Sequence, residues 1–97
     1  MSKYKRSDNN TKEIKAAVTD CGWEFIDTHN LGDGFPDALA VKWDGREDHH
    51  AIWRTIWLEI KTKTGRLTPD ERTFQMRFPG LVNVVRSRDD VIKLLWR

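Results

Sequence analysis

Apolar positions recur along this chain with two different periods, and each change of period marks a new element. Ile14, Ala17, Val18 and Cys21 fall at i, i+3, i+4 and i+7. That spacing predicts a single helical stripe, starting from Asn10 and stopped by Gly22. Trp23 to Asp27 reads as a short strand. Residues 30–36, Asn-Leu-Gly-Asp-Gly-Phe-Pro, are dense in turn formers and predict a loop. Ala38 to Trp43 predicts a second strand, Asp44-Gly45 a tight turn, and residues 46–50 a polar extension of it. Residues 51–62 are rich in β-branched and aromatic side chains and predict the third strand. Thr68-Pro69 places a capping residue before a proline, the signature of a helix start. Phe74 and Phe78 lie one turn apart on that helix, and Pro79-Gly80 ends it. Leu81 to Val85 predicts a fourth strand. A last helix, beginning at Ser87 or Asp89, carries Val91, Leu94 and Leu95.

The order α-β-β-β-α-β-α predicts an α/β fold. Short links make the first three strands antiparallel neighbours, and the helix between strands three and four suits a parallel crossover. A mixed central four-stranded sheet flanked by helices follows. Whether the first helix and the crossover helix cover one face or two is open at this level. Residues 10–97 form one domain, and residues 1–9, polar and basic, are expected to be a flexible arm.

Composition narrows the class. With 97 residues there is room for one modest core, and 38% hydrophobic against 33% charged residues describes a soluble globular chain. The formal charge of +2 does not argue for nucleic acid by itself. The distribution is more informative: Lys3, Lys5 and Arg6 cluster at the start, and Lys61, Lys63 and Arg66 follow the third strand. One cysteine, Cys21, excludes an intrachain disulfide and a cysteine zinc site and suits a reducing, cytoplasmic compartment. No apolar run reaches membrane-spanning length.

The candidate chemistry lies at the end of the third strand, in Trp57-Leu58-Glu59-Ile60-Lys61. In a strand, Glu59 and Lys61 share one face while Leu58 and Ile60 share the other. Taken alone, that pair reads as a solvated surface pair of small energetic value, and Asp37 as a turn cap. Pairing of strands two and three changes this reading. The start of one then lies beside the end of the other, so Asp37 and Glu59 become neighbours although they are 22 positions apart in the chain. Adjacent carboxylates repel unless a cation sits between them. Hard oxygen ligands of this kind select Mg²⁺ or Mn²⁺, with the Ile60 carbonyl in reach as a further ligand. Lys61 would orient a water or steady charge developing on a phosphate. Lys63 and Arg66, with Lys3, Lys5 and Arg6 on the arm, would suit phosphate contacts. His49-His50 reads as a polar hairpin tip, and Trp43 and Trp53 are placed to face each other across the hairpin.

Pro36-Asp37 followed by Glu59-Ile60-Lys61 resembles the PD-(D/E)XK nuclease signature. Gly34-Phe35-Pro36-Asp37, Leu58-Glu59-Ile60-Lys61, Gly65-Arg66-Leu67-Thr68-Pro69 and Val84-Val85-Arg86-Ser87 with Asp89 together resemble the VRR-NUC branch, over roughly residues 10–95. The resemblance implies a restriction-endonuclease-like core and a Mg²⁺- or Mn²⁺-dependent endonuclease acting on DNA. It makes branched or flapped DNA, a homodimer and a bacterial or phage-infected cell natural expectations. It also implies an acidic metal ligand on the first helix, for which Glu13 is the candidate. Asn10-Thr11-Lys12-Glu13 equally reads as a capping box. A glutamine early in the crossover helix is typical of the family; this chain has Glu71 there, with Gln75 one turn later as the possible substitute. The competing readings are a catalytically silent DNA-binding module of the same fold and a protein-interaction domain with no nucleic-acid role.

Overall fold

The apolar stripe of the first helix is what places it. In the computed structural model, the backbone is described for residues 2–96 and the side chains for residues 10–96. Helix α1 (Ser2–Asp20) buries Ile14, Ala17 and Val18 completely, with Cys21 just beyond its end. The helix starts at Ser2 and not at Asn10, so Lys3, Lys5 and Arg6 lie within it. Their side chains lie outside the described residues, and so do the DNA contacts expected of Lys3, Lys5 and Arg6. A polar stretch carries no apolar stripe, so periodicity cannot reveal that it is helical.

Strand β1 (Glu24–Asp27), β2 (Ala38–Glu47) and β3 (His50–Ile60) form an antiparallel meander, and β4 (Val82–Val85) joins β3 in parallel. The spatial order is β1-β2-β3-β4. Helix α2 (Pro69–Arg77) is the crossover between β3 and β4, and α3 (Arg88–Leu95) follows β4. The mixed four-stranded sheet flanked by helices is thus as expected. The hairpin differs. Asp44-Gly45 is not its turn: β2 runs on to Glu47, and Asp48 and His49 make a two-residue turn with φ of 49° and 70°. The register shifts between Trp43 and Arg46, so one extra residue bulges out there, and Gly45 supplies the φ of 100° that the bulge needs. Trp43 and Trp53 do stand opposite each other, half-exposed.

The two faces of the sheet are covered by different helices. Ala38, Ala40 and Leu58 point to the face on which α1 and α3 pack, and with Val85, Val91 and Leu95 they complete the core. Trp23 closes one end of it, its indole N–H donating to the Leu95 carbonyl at 3.3 Å. Strand alternation sends Trp57 and Glu59 the other way. There Phe35 packs edge-on against Trp57 (5.0 Å between centroids) and Phe74 (5.4 Å), and Phe74 meets Phe78 (4.9 Å). This aromatic cluster ties α2 and the loop before β2 to the second face. Thr68 caps α2, with its hydroxyl and the Glu71 carboxylate exchanging hydrogen bonds with each other's backbone N–H groups. Gly34 lies so close to the first turn of α2 that a Cβ would overlap the Asp70 carbonyl, and its φ of 77° also favours glycine. The glycine that opens Gly-Phe-Pro-Asp therefore lets α2 close down beside Asp37.

Candidate functional site

Register builds the site. Ala38 pairs with Leu58, so Asp37, one residue before, comes opposite Glu59, one residue after. Asp37 Oδ2 accepts the Ile60 N–H at 2.8 Å, which holds the carboxylate against the end of β3. The predicted convergence of Asp37 and Glu59 is present. Ile60 also belongs to the site, and the group it is seen to offer Asp37 is its amide N–H.

Glu59 is 1% exposed and is the one buried charged residue among the described residues. Its Oε2 has no hydrogen-bond partner, although the Lys61 ammonium stands 3.7 Å away. Burial, then the adjoining Asp37 carboxyl, then Glu71 push the Glu59 carboxyl up to about 10. Three acid groups thus crowd one point, and without a cation the least costly state keeps a proton on Glu59. Lys61 is drawn more strongly to Glu71: Nζ lies 2.6 Å from Glu71 Oε1. Burial raises the Glu71 carboxyl, but the Lys61 ammonium and the Thr68 N–H outweigh it and hold Glu71 below the usual range.

These groups line a cleft of about 800 Å³ together with Thr62, Gly65, Arg66, Asn10, Thr11, Asp27, His29 and Asn30. Asp27 accepts from both the backbone N–H and the ring of His29, and these bonds, the backbone one first, keep its carboxyl below the usual range. Asp27 reaches the cleft because it ends β1 opposite Ala38. That register was available from the predicted meander, and Asp27 is the acidic residue that sequence reasoning missed. Asn10 was missed for another reason. Far from capping a helix start, it lies within α1, and its side-chain amide donates to the Lys61 carbonyl at 2.8 Å.

Two expected helpers lie elsewhere. Glu13 is neither at the carboxylate pair nor in a capping box; its Oε2 accepts the Arg88 N–H at 3.1 Å, at the start of α3. Gln75 does not line the cleft, and its amide nitrogen is buried without a hydrogen-bond partner. Glu71 holds the place beside Lys61 instead. Arg66 lines the cleft, whereas Lys63 does not.

Among the described residues, no group of three or more His, Cys, Asp or Glu side chains is arranged to hold a metal ion. Asp37 and Glu59 meet as a pair. The orphaned Glu59 oxygen beside the Asp37 carboxyl fits one hard divalent cation, with the remaining ligands left to water or substrate. Among the described residues, no helix is long and apolar enough to cross a membrane. No family model matches the chain, and no curated protein or solved structure does either.

Proposed function

We propose that this chain is a Mg²⁺- or Mn²⁺-dependent endonuclease that hydrolyses DNA phosphodiester bonds, built on a restriction-endonuclease-like core of the VRR-NUC type. One observation carries the reading. The buried Glu59 oxygen without a partner sits beside Asp37 and Lys61 in an open cleft. A buried carboxylate held against a second one is expensive unless something positive joins them. Asp37 and Glu59 would hold the cation. When bound it neutralises phosphate charge and acidifies a coordinated water. Lys61 donates toward the attacking water or the charge that builds on the phosphate. Arg66, on the cleft wall, fixes the DNA strand through a phosphate without reading sequence. Asn10 and Glu71 hold Lys61 by its carbonyl and its ammonium respectively.

Cutting both strands of a duplex, or a four-way junction, needs two such sites, and a symmetric homodimer supplies them most simply. Plasmid, flap and junction DNA incubated with Mg²⁺ or Mn²⁺ test the activity. Wild-type protein is expected to cleave, and Asp37→Ala, Glu59→Ala and Lys61→Ala to fail. Cleavage that survives Glu59→Ala or chelation rejects the assignment. The Lys61–Glu71 contact favours one alternative, a DNA-binding module of the same fold that does no chemistry, because it draws the ammonium from Glu59 toward α2. That module binds DNA without metal and never cuts it.

A further inference from the structure

The Val-Val-Arg-Ser stretch does more than end a strand. Val85 closes β4 and is paired with Ile60, and its carbonyl accepts the Lys61 N–H at 3.1 Å. This parallel pairing brings residue 86 alongside the turn that follows β3. Arg86 Nη1 donates there to the carbonyls of Gly65 (2.6 Å) and Thr62 (2.8 Å), with Lys63 at 3.5 Å. The Thr62 carbonyl also accepts the Gly65 N–H at 3.2 Å. Arg86 is itself held from behind. Its own N–H donates to Asp90 Oδ2 at 2.8 Å, and the Asp90 N–H donates to the Ser87 hydroxyl at 3.2 Å, so the capped start of α3 anchors it. The carbonyls of residues 61, 62, 63 and 65 are therefore all engaged by the side chains of Asn10 and Arg86, which come from two other elements.

We propose that Arg86 is a positioning residue, which clamps the 62–65 turn and so fixes how Lys61 and Arg66 face the Asp37–Glu59 pair. The clamp follows from the hydrogen bonds above, and its kinetic consequence rests on the nuclease reading. A turn with no regular ladder of its own has few ways to stay rigid, and a charged donor shared among carbonyls supplies one. Arg86 Nη1 is turned to the backbone of this turn, which assigns Arg86 to holding it, in contrast to Arg66 on the cleft wall.

The test compares wild type with Arg86→Ala and Arg86→Lys by amide hydrogen exchange, steady-state cleavage and the salt dependence of DNA binding. In Arg86→Ala the Gly65 amide is expected to exchange about tenfold faster or more. Misplacing a catalytic group by an ångström lowers turnover by about 10²-fold, so kcat should fall while KM changes little. The salt slope of binding should stay at the wild-type value, whereas a lost phosphate contact would reduce it by about one. Arg86→Lys should recover part of both losses, and guanidinium ion at non-denaturing concentration should restore both in Arg86→Ala. A Gly65 amide as well protected in Arg86→Ala as in wild type overturns the clamp. So does unchanged kcat, or a reduced salt slope. If wild type itself does not cut DNA, the nuclease reading fails, and the exchange measurement alone decides whether Arg86 holds the turn.

Discussion

Leu58 and Glu59 are adjacent on β3 and equally hidden from solvent, at 0% and 1% exposure, yet burial acts on them in opposite directions. Leu58 enters the hydrophobic core cluster with Ile14, Val18 and Leu95, where removal from water is favourable. Glu59 enters a face shared by Asp37 and Glu71, where one of its oxygens has no partner. One face of the sheet is closed by aliphatic packing, and the other sets a buried carboxyl beside two more acids. The largest effect should come from the first face. Leu58→Ala removes a fully buried branched side chain and is expected to lower stability by about 2–5 kcal/mol. A urea titration with unchanged m value would show it.

The next substitution should reverse the sign one residue later. Glu59→Gln removes the need to take up a proton on folding and gives Asp37 and Glu71 an amide to accept from. Metal-free stability is expected to rise by about 1–3 kcal/mol near pH 8, while cleavage falls by at least about 10²-fold. A Glu59→Gln protein that is less stable than wild type would mean the carboxylate is satisfied as it stands, and the contrast between the two faces would be lost.

The same contrast has a pH signature. Glu59 is raised from an ordinary 4.5 to about 10, so between those values the folded chain holds a proton that the unfolded chain has released. Its contribution is fully present below the unfolded value and is lost as pH rises toward about 10. Glu71 is shifted downward and has the opposite sign; its contribution is present above its unfolded value and fades in acid. In the presence of a chelator, the urea midpoint should therefore decline across the neutral and mildly alkaline range. Mg²⁺ or Mn²⁺ should flatten that decline by binding the ionised pair. Glu59→Gln should abolish it with or without metal. A decline of equal slope in Glu59→Gln would assign the titration to other groups.

The aliphatic face was easier to read in the sequence than the charged one. Ile14, Ala17, Val18 and Cys21 recur at helical spacing, and all four are buried because a stripe can face a sheet in only one way. Thr68-Pro69 starts α2 where the capping chemistry says, and pairing of short-linked strands was enough to bring Asp37 to Glu59. What stayed hidden depends on how elements dock. Glu13 reaches α3 because of how α1 lies across it, a relation that no local pattern encodes. Glu71, and not Gln75, stands beside Lys61 because its capping box turns the carboxylate back toward the helix start, where Lys61 follows β3. The Arg86 bonds need the parallel register of β3 and β4, which the element order implied only in direction.

The hairpin tip lies beyond both faces, and a change there should separate stability from activity. Asp48 and His49 both carry positive φ, a conformation that raises the energy of residues with a Cβ and that Asn-Gly adopts readily. Asp48→Asn with His49→Gly should relieve part of that strain, offset by the extra freedom of glycine in the unfolded chain, for a net gain of about 0.5–1 kcal/mol. The turn closes the pairing of Glu47 with His50 and leaves the Ala38–Leu58 register alone, so cleavage and the pH dependence of the urea midpoint should match wild type. An altered cleavage rate would show that the tip takes part in holding DNA. The contrast between the aliphatic face and the charged face would then need a third, distant contact, to be mapped by repeating the salt titration on Arg46→Ala.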